Sequence, residues 1–211
     1  ADIMRAALAA VIARHDALRL RFMQDDEGVW QQQVRPVEAH NVLLITDLSD
    51  AGENWRDALR TAGERIQTSL DLENGPIIRA GWFTLPDASV RLLIAIHHLS
   101  VDGVSWRVLL ADLQKAVEQQ LAGEAPMLPD AVTAWSAGVR ARGNYAREEK
   151  VGSELGWWDD YLAGTTGKLP VNDAGDRSLS QTRTVRWKLD EPTTRRLLDA
   201  APRAYRMGVE E

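Results

Sequence analysis

Val90-Arg91-Leu92-Leu93-Ile94-Ala95-Ile96-His97-His98-Leu99-Ser100-Val101-Asp102-Gly103-Val104-Ser105-Trp106 is the stretch on which the reading of this chain turns. A nearly unbroken apolar run from Val90 to His97 reads as a strand buried on both faces. A turn follows, and apolar residues then recur at helical spacing from about Val104 to Ala122, with Trp106, Leu109, Leu110, Leu113 and Val117 facing inward. Side chains alternate along a strand, so His97 and His98 are expected to point opposite ways, one toward a cleft and one inward. The helix beyond Gly103 aims its unpaired N–H groups, at Val104, Ser105 and Trp106, toward the same place, where they could stabilise an enolate or oxyanion. An isolated His is most often a packing residue. The paired His, the Asp-Gly and the strand–turn–helix setting together shift the balance toward a functional imidazole. Asp102 is better read as structural, either a helix N-cap or one partner of a buried ion pair.

Outward from that segment, helical and extended patterns interleave. Asp2 to about Ala17 reads as a helix. Leu18–Met23 and Val29–Val34 read as strands joined through Asp25-Asp26-Glu27-Gly28, and Val42–Leu48 as another strand. Asp50 to Ser69 is a helix with Trp55, Leu59, Ala62 and Ile66 on one face. Gly75-Pro76 breaks the pattern before a strand over Ile77–Thr84. Helices are expected over Ala131–Arg147 and Ser153–Leu162, with Trp157 and Trp158 inward like Trp106. Gly164–Ser180 is a loop, Gln181–Leu189 a strand and Glu191–Ala201 a last helix. The fold class is α+β, a mixed α/β sandwich in which a mixed sheet is covered by helices.

Bulk properties narrow the function. The 211 residues are 45% hydrophobic and 27% charged, ordinary for a globular domain. A formal charge of -6 argues against nucleic acid as the main partner. The absence of cysteine removes thiolate catalysis, zinc–thiolate sites and disulfides, and suits a reducing cytoplasm. No apolar run approaches the roughly 20 residues needed to span a bilayer, and no charged leader opens the chain. A cytoplasmic protein with no membrane partner and no metal site is expected. His15 and His40 sit in polar, unpatterned settings and receive no role.

His97-His98-x-x-x-Asp102-Gly103 resembles the signature of the condensation-domain superfamily of nonribosomal peptide synthetases, which shares its fold with chloramphenicol acetyltransferase. The continuation Val104-Ser105-Trp106 resembles the epimerisation branch, whereas peptide-forming members usually show Trp-Ser there. Arg14–Phe22, Gly75–Ala80 and the surroundings of Trp157–Leu162 match the family in order, as do Leu169-Pro170, Arg183–Val185 and Ala204–Arg206.

The resemblance implies that residues 1–211 are a chloramphenicol acetyltransferase-like N-terminal lobe, with the family's first strand region and its C-terminal lobe absent. It implies His98 as the acid/base, with His97 supporting it, and an Arg19–Asp102 pair beside Gly103 as structural residues at the site. It also implies a second acid/base, a Glu, on the other lobe. The reaction implied is inversion of the α-carbon of an aminoacyl or peptidyl thioester. That substrate is carried on the phosphopantetheine of a peptidyl carrier protein, with no cofactor bound directly and adjacent synthetase modules as further partners. The alternatives are a condensing domain, a non-catalytic docking or scaffold lobe, and a small-molecule acyltransferase of the chloramphenicol type, which the flanking stretches disfavour.

Overall fold

A computed structural model describes residues 1–38, 41–130, 133–165, 178 and 182–208. The chain divides into two compact units, Ala1–Gly156 and Trp157–Glu211.

In the first unit, α1 (Asp2–Arg14) ends at His15, and a short 3₁₀ turn over Asp16–Arg19 leads into β1 (Leu20–Gln24). β1 pairs antiparallel with β2 (Trp30–Val34), Leu20 opposite Val34 and Gln24 opposite Trp30. The hairpin closes where Asp25 Oδ1 accepts the Glu27 and Val29 N–H groups and Gly28 adopts a positive φ of 77°. β3 (Leu43–Asp47), β4 (Ile78–Thr84) and β5 (Val90–Ile96) form a second sheet with β4 in the middle, parallel to β3 and antiparallel to β5. α2 (Trp55–Thr68) connects β3 to β4, and α3 (Ser105–Leu121) follows β5.

Alternation along β4 sorts the core. Ile78 and Ala80 join Leu8, Val11 and Ile12 of α1 and Leu109, Leu113 and Ala116 of α3. Phe83 joins Ile66 of α2 in a separate cluster with Leu48, Leu85 and Ala95. The result is a mixed sheet between two helical layers, as the patterning predicts. Two glycines set close approaches. A Cβ on Gly81 would meet the Ile66 side chain and come within 2.6 Å of the Phe83 ring, so α2 can lie against β4 only because Gly81 has none. Gly75, at φ 79°, leaves the space taken by the Arg21 guanidinium, which burial pushes below its ordinary pKa.

Several sequence expectations are corrected. β5 lies at an edge of its sheet, and its first half, including Val90 and Leu92, is exposed. Only Leu93–Ile96 alternate between the two cores. A both-faces-buried apolar run and a strand half-covered at one end carry the same composition, and β4, broken by Arg79 and Gly81, is the interior one. Leu110 faces solvent at 52% exposure, because Leu109 and Leu113 already fill the face toward α1. The helix expected from Asp50 is a 3₁₀ segment to Asn54, broken at Gly52, and α2 starts at Trp55. The long helix after the prolines is shorter. α4 spans Trp135–Tyr145, and its first N–H is capped by the distant Asp16 carboxylate at 2.8 Å. α5 (Glu149–Gly152) and α6 (Leu155–Leu162) follow.

In the second unit the residues from 182 to Leu189 form no strand. α7 (Glu191–Arg195), a π turn over Arg196–Ala200 and α8 (Ala201–Tyr205) make one helical run. Asp190 Oδ1 caps it by accepting the Thr193 N–H at 2.8 Å. Trp157 and Trp158 do not face a core. They are 57% and 47% exposed, and Trp157 stacks on Tyr161 with centroids 5.1 Å apart. Spacing at i and i+4 on a helix serves a solvent-facing aromatic ladder as well as a core stripe. Gly164–Ser180 and His40 lie outside the described residues, apart from Gly164, Thr165 and Ser178.

Gly81→Val should lower the stability of the chain by about 1–3 kcal/mol, the range for overpacking a filled core, read by urea unfolding. Turn carboxylates set the acid response. Asp25 is held below its ordinary pKa first by the Gln31 amide, Asp71 by the Asn74 backbone N–H, and Asp87 by the Ser89 hydroxyl. A depressed carboxylate stabilises the fold above its unfolded pKa and loses that contribution as pH falls through the folded one. The urea midpoint should therefore be flat near neutrality and drop below about pH 4.

Candidate active site

β5 delivers the chain to a tight turn. The strand ends at Ile96, so both His lie beyond it, and strand alternation no longer governs where they point. His97 still holds the sheet, its N–H donating to Ile77 O at 2.9 Å, and its carbonyl accepts the Ser100 N–H at 2.9 Å to close the turn. Its ring takes part as well, with Nδ1 accepting the Leu99 N–H at 3.2 Å. A neutral His97 therefore carries its proton on Nε2. His98, at the second position of the turn, is exposed and makes no hydrogen bond or ion pair among the described residues. Ser100 and Val101 then turn inward, and Val101 joins the α1/α3 core. One histidine is built into the turn, and the next is presented by it.

Asp102 is occupied with its own helix. Its Oδ1 accepts the Ser105 N–H at 2.7 Å and the Ser105 hydroxyl at 2.6 Å, and its carbonyl accepts the Trp106 N–H at 3.3 Å. These bonds, the Ser105 hydroxyl first, hold its carboxyl below the usual carboxylate range. This is an N-cap, with the helical turns beginning at Gly103. The expected Arg19–Asp102 pair is not formed. Asp102 is exposed, and Arg19 instead donates to the carbonyl oxygens of Ile12 at 3.2 Å and Arg35 at 2.8 Å. Arg19 closes the end of α1 against the entry to β1, and the Asp102 carboxylate, just ahead of α3, finds a nearer partner in Ser105. The oxyanion expectation for Val104, Ser105 and Trp106 is corrected for the same reason. The Ser105 and Trp106 N–H groups are spent on Asp102, the Val104 N–H lies against its carboxylate, and the Trp106 ring packs on the α1/α3 core.

Sequence reading passed over His15. Its Nε2 lies 2.7 Å from Asp112 Oδ2, and Arg14 Nε donates to the same oxygen at 3.0 Å, tying the end of α1 to the middle of α3. The signal was the Arg14-His15-Asp16 triplet at a helix end, but its partner lies about a hundred residues away in sequence, where no spacing rule reaches. Among the described residues no cluster of three or more His, Asp or Glu side chains is placed to hold a metal ion, and no helix is long and apolar enough to cross a membrane. The cap and the ion pair make different demands on Asp102. Asp102→Asn should keep the thermal midpoint near that of the parent, since Asn caps as well as Asp, while Asp102→Ala should lower it. An equal loss in both variants would restore the ion-pair reading.

Comparison with known proteins agrees with this architecture. The Condensation domain family matches residues 1–205. One of the linear gramicidin synthase chains of Brevibacillus parabrevis is 39% identical over 211 residues, covering 97% of this chain and 4% of that protein. The crystal structure of the epimerization domain from the third module of tyrocidine synthetase B superposes with a TM-score of 0.83 at 31% identity, covering 97% of this chain and 47% of that one. The starter condensation domain of rhizomide synthetase gives 0.63 at 18% identity, over 79% of this chain and 40% of that one, a likeness of fold alone. The chain thus spans under half of these two solved domains and a few per cent of the gramicidin synthase. With the His97–Gly103 signature on the turn after β5 and the family matching nearly end to end, the chain belongs to the condensation-domain family.

Proposed function

We propose that residues 1–211 form the N-terminal lobe of an epimerisation domain of a nonribosomal peptide synthetase, with His98 as one of its two acid/base groups. The observation that carries this reading is the extent of the likeness to the tyrocidine synthetase epimerization domain. It reaches nearly the whole chain at TM-score 0.83, where the starter condensation domain reaches 0.63 over 79%. The Ser105-Trp106 order, at the first turn of α3, supports the same branch.

The substrate is an aminoacyl or peptidyl thioester held on the phosphopantetheine of a carrier protein. Its α-hydrogen is acidified by the thioester carbonyl. His98 takes the α-proton, the C–H electron pair moves into the enolate, and a proton returns to the opposite face. An enolate is planar, so inversion needs groups on both sides. Exposure of His98 in an otherwise self-contained turn suits one of them, and the family's second lobe would carry the other, a Glu. His97, locked by Leu99, positions the turn that presents His98. With Asp102 absorbing the α3 N–H groups, enolate stabilisation would fall to groups outside this turn.

The second reading, favoured by the family as a whole, is condensation, in which His98 assists an amine attacking the thioester. Loading a carrier protein with an L-aminoacyl or L-peptidyl group in heavy water separates the two. In the complete domain, deuterium should enter the α-carbon, and His98→Ala should slow that entry about 10²–10⁴-fold while leaving the thioester intact. Amide formation with an added amine, without α-exchange, would establish condensation instead.

A further inference from the structure

Hydrogen-bond parity leaves the outer edge of β5 open. The His97 N–H donates to Ile77 O at 2.9 Å, one step beyond the Ile78–Ile96 pair of the antiparallel register. Bonded and unbonded pairs alternate in such a register, so Ala95, Leu93 and Arg91 also turn their N–H and C=O groups toward β4. Ile96, Ile94, Leu92 and Val90 turn theirs away from it. Among the described residues no strand lies on that side, and only the Val90 carbonyl has a partner, the Arg91 guanidinium at 3.1 Å. Leu92, Ile94 and Ile96 thus present six unpaired backbone groups in a row, and all three residues keep part of their surface exposed. Ile94 and Ile96 also border a hollow against Trp106, Leu109 and Leu110 of α3, lined by hydrophobic residues alone. It holds only about 10 Å³, room for part of a side chain and not for a ligand.

The other outer strand of the sheet is guarded. On β3 the outward groups belong to Leu43, Ile45 and Asp47, since Val42 O accepts the Ala80 N–H and the Leu48 N–H donates to Thr84 O. Arg5 donates to Leu43 O at 3.5 Å, and Asp47 closes the strand with a carboxylate. β5 has one charge, Arg91 near its start, with no proline and an unbroken seven-residue register. Free edges are ordinarily blunted by charges, prolines, bulges or short length, so β5 has the composition of a strand paired on both sides. We propose that β5 takes a further strand along this edge, an extended segment of the same polypeptide from outside residues 1–211. That segment is apolar at every second position, so that those side chains cover Leu92, Ile94 and the hollow beside Leu110. The inference rests on the part of the functional reading that makes the chain one lobe of a larger domain. Residues 1–211 match 47% of the tyrocidine synthetase epimerization domain, so a complete domain holds more than as much chain again. A strand on the same polypeptide meets the edge at an effective concentration on the order of millimolar, an advantage that a second copy or a separate partner lacks.

The test uses the complete domain, joined from a ¹⁵N-labelled segment of residues 1–211 and a ¹³C-labelled remainder. In heavy water the Leu92, Ile94 and Ile96 amides should exchange within about tenfold of Leu93, Ala95 and His97, which β4 protects in any case. The N–H protons of Leu92 and Ile94 should also show NOEs to α-protons of the ¹³C-labelled part. Exchange at Leu92, Ile94 and Ile96 about a hundredfold faster than at their neighbours would overturn the proposal. So would slow exchange with NOEs confined to residues 1–211, or protection that is lost on dilution, the mark of a second copy. A protected edge in a domain that forms amide bonds without α-deuterium exchange would end the epimerisation reading and leave this inference standing. The two failures are thereby told apart.

Discussion

Among the described residues, β4 alone has a strand paired along each edge, and helices cover both of its faces. Where they are buried, its residues are small or apolar on each side, and the two sides make different demands. Toward α1 and α3 it offers Ile78 and Ala80, and toward α2 it offers Phe83 beside the bare backbone of Gly81. That arrangement fixes the height of α2 above the sheet. It also fixes β5, whose register is set wholly by β4, from Ile78 opposite Ile96 to Thr84 opposite Val90. Where β5 ends decides where His97 and His98 stand. A side chain forced into the Gly81 gap would therefore be felt at the far end of β5.

The turn divides its labour between neighbours. His97 uses its backbone and its ring to hold the chain in place, and Asp102 spends its carboxylate on the first turn of α3. Between these anchors His98 makes no hydrogen bond or ion pair among the described residues. In the proposed acid/base role, such an arrangement would hold the imidazole in place without tying down its ring nitrogens, as general acid–base chemistry requires of a group that gains and loses a proton. The same cap leaves the start of α3 occupied by the Asp102 carboxylate, which offsets the positive field of the helix end.

Local signals in the sequence located most of this. The hairpin at Asp25–Gly28, the strands around β3, β4 and β5, the start of α3 and the His97–Gly103 segment all follow from periodicity and turn chemistry within a few residues. What escaped was decided at a distance. Whether Val90–Ile96 is central or at an edge depends on which strand it pairs with, and apolar content alone does not say. The family resemblance implies an Arg19–Asp102 pair, yet each has a nearer partner in carbonyl oxygens or backbone N–H groups. His15 looked featureless because Asp112 is 97 residues away. Trp157 and Trp158 looked like core because hydrophobic size was read as burial, whereas their rings stack among themselves and stay exposed.

The Asp16 carboxylate that caps α4 reaches across 119 residues of chain to the Trp135 N–H. A cap of that kind cannot help α4 nucleate on its own, because the chain must close a long loop before the bond exists. The order of events is then constrained. α1 and the 3₁₀ turn at Asp16 must already sit beside the sheet before the first turn of α4 gains its acceptor. During synthesis, Asp16 leaves the ribosome well ahead of Trp135, so the acceptor waits for the helix.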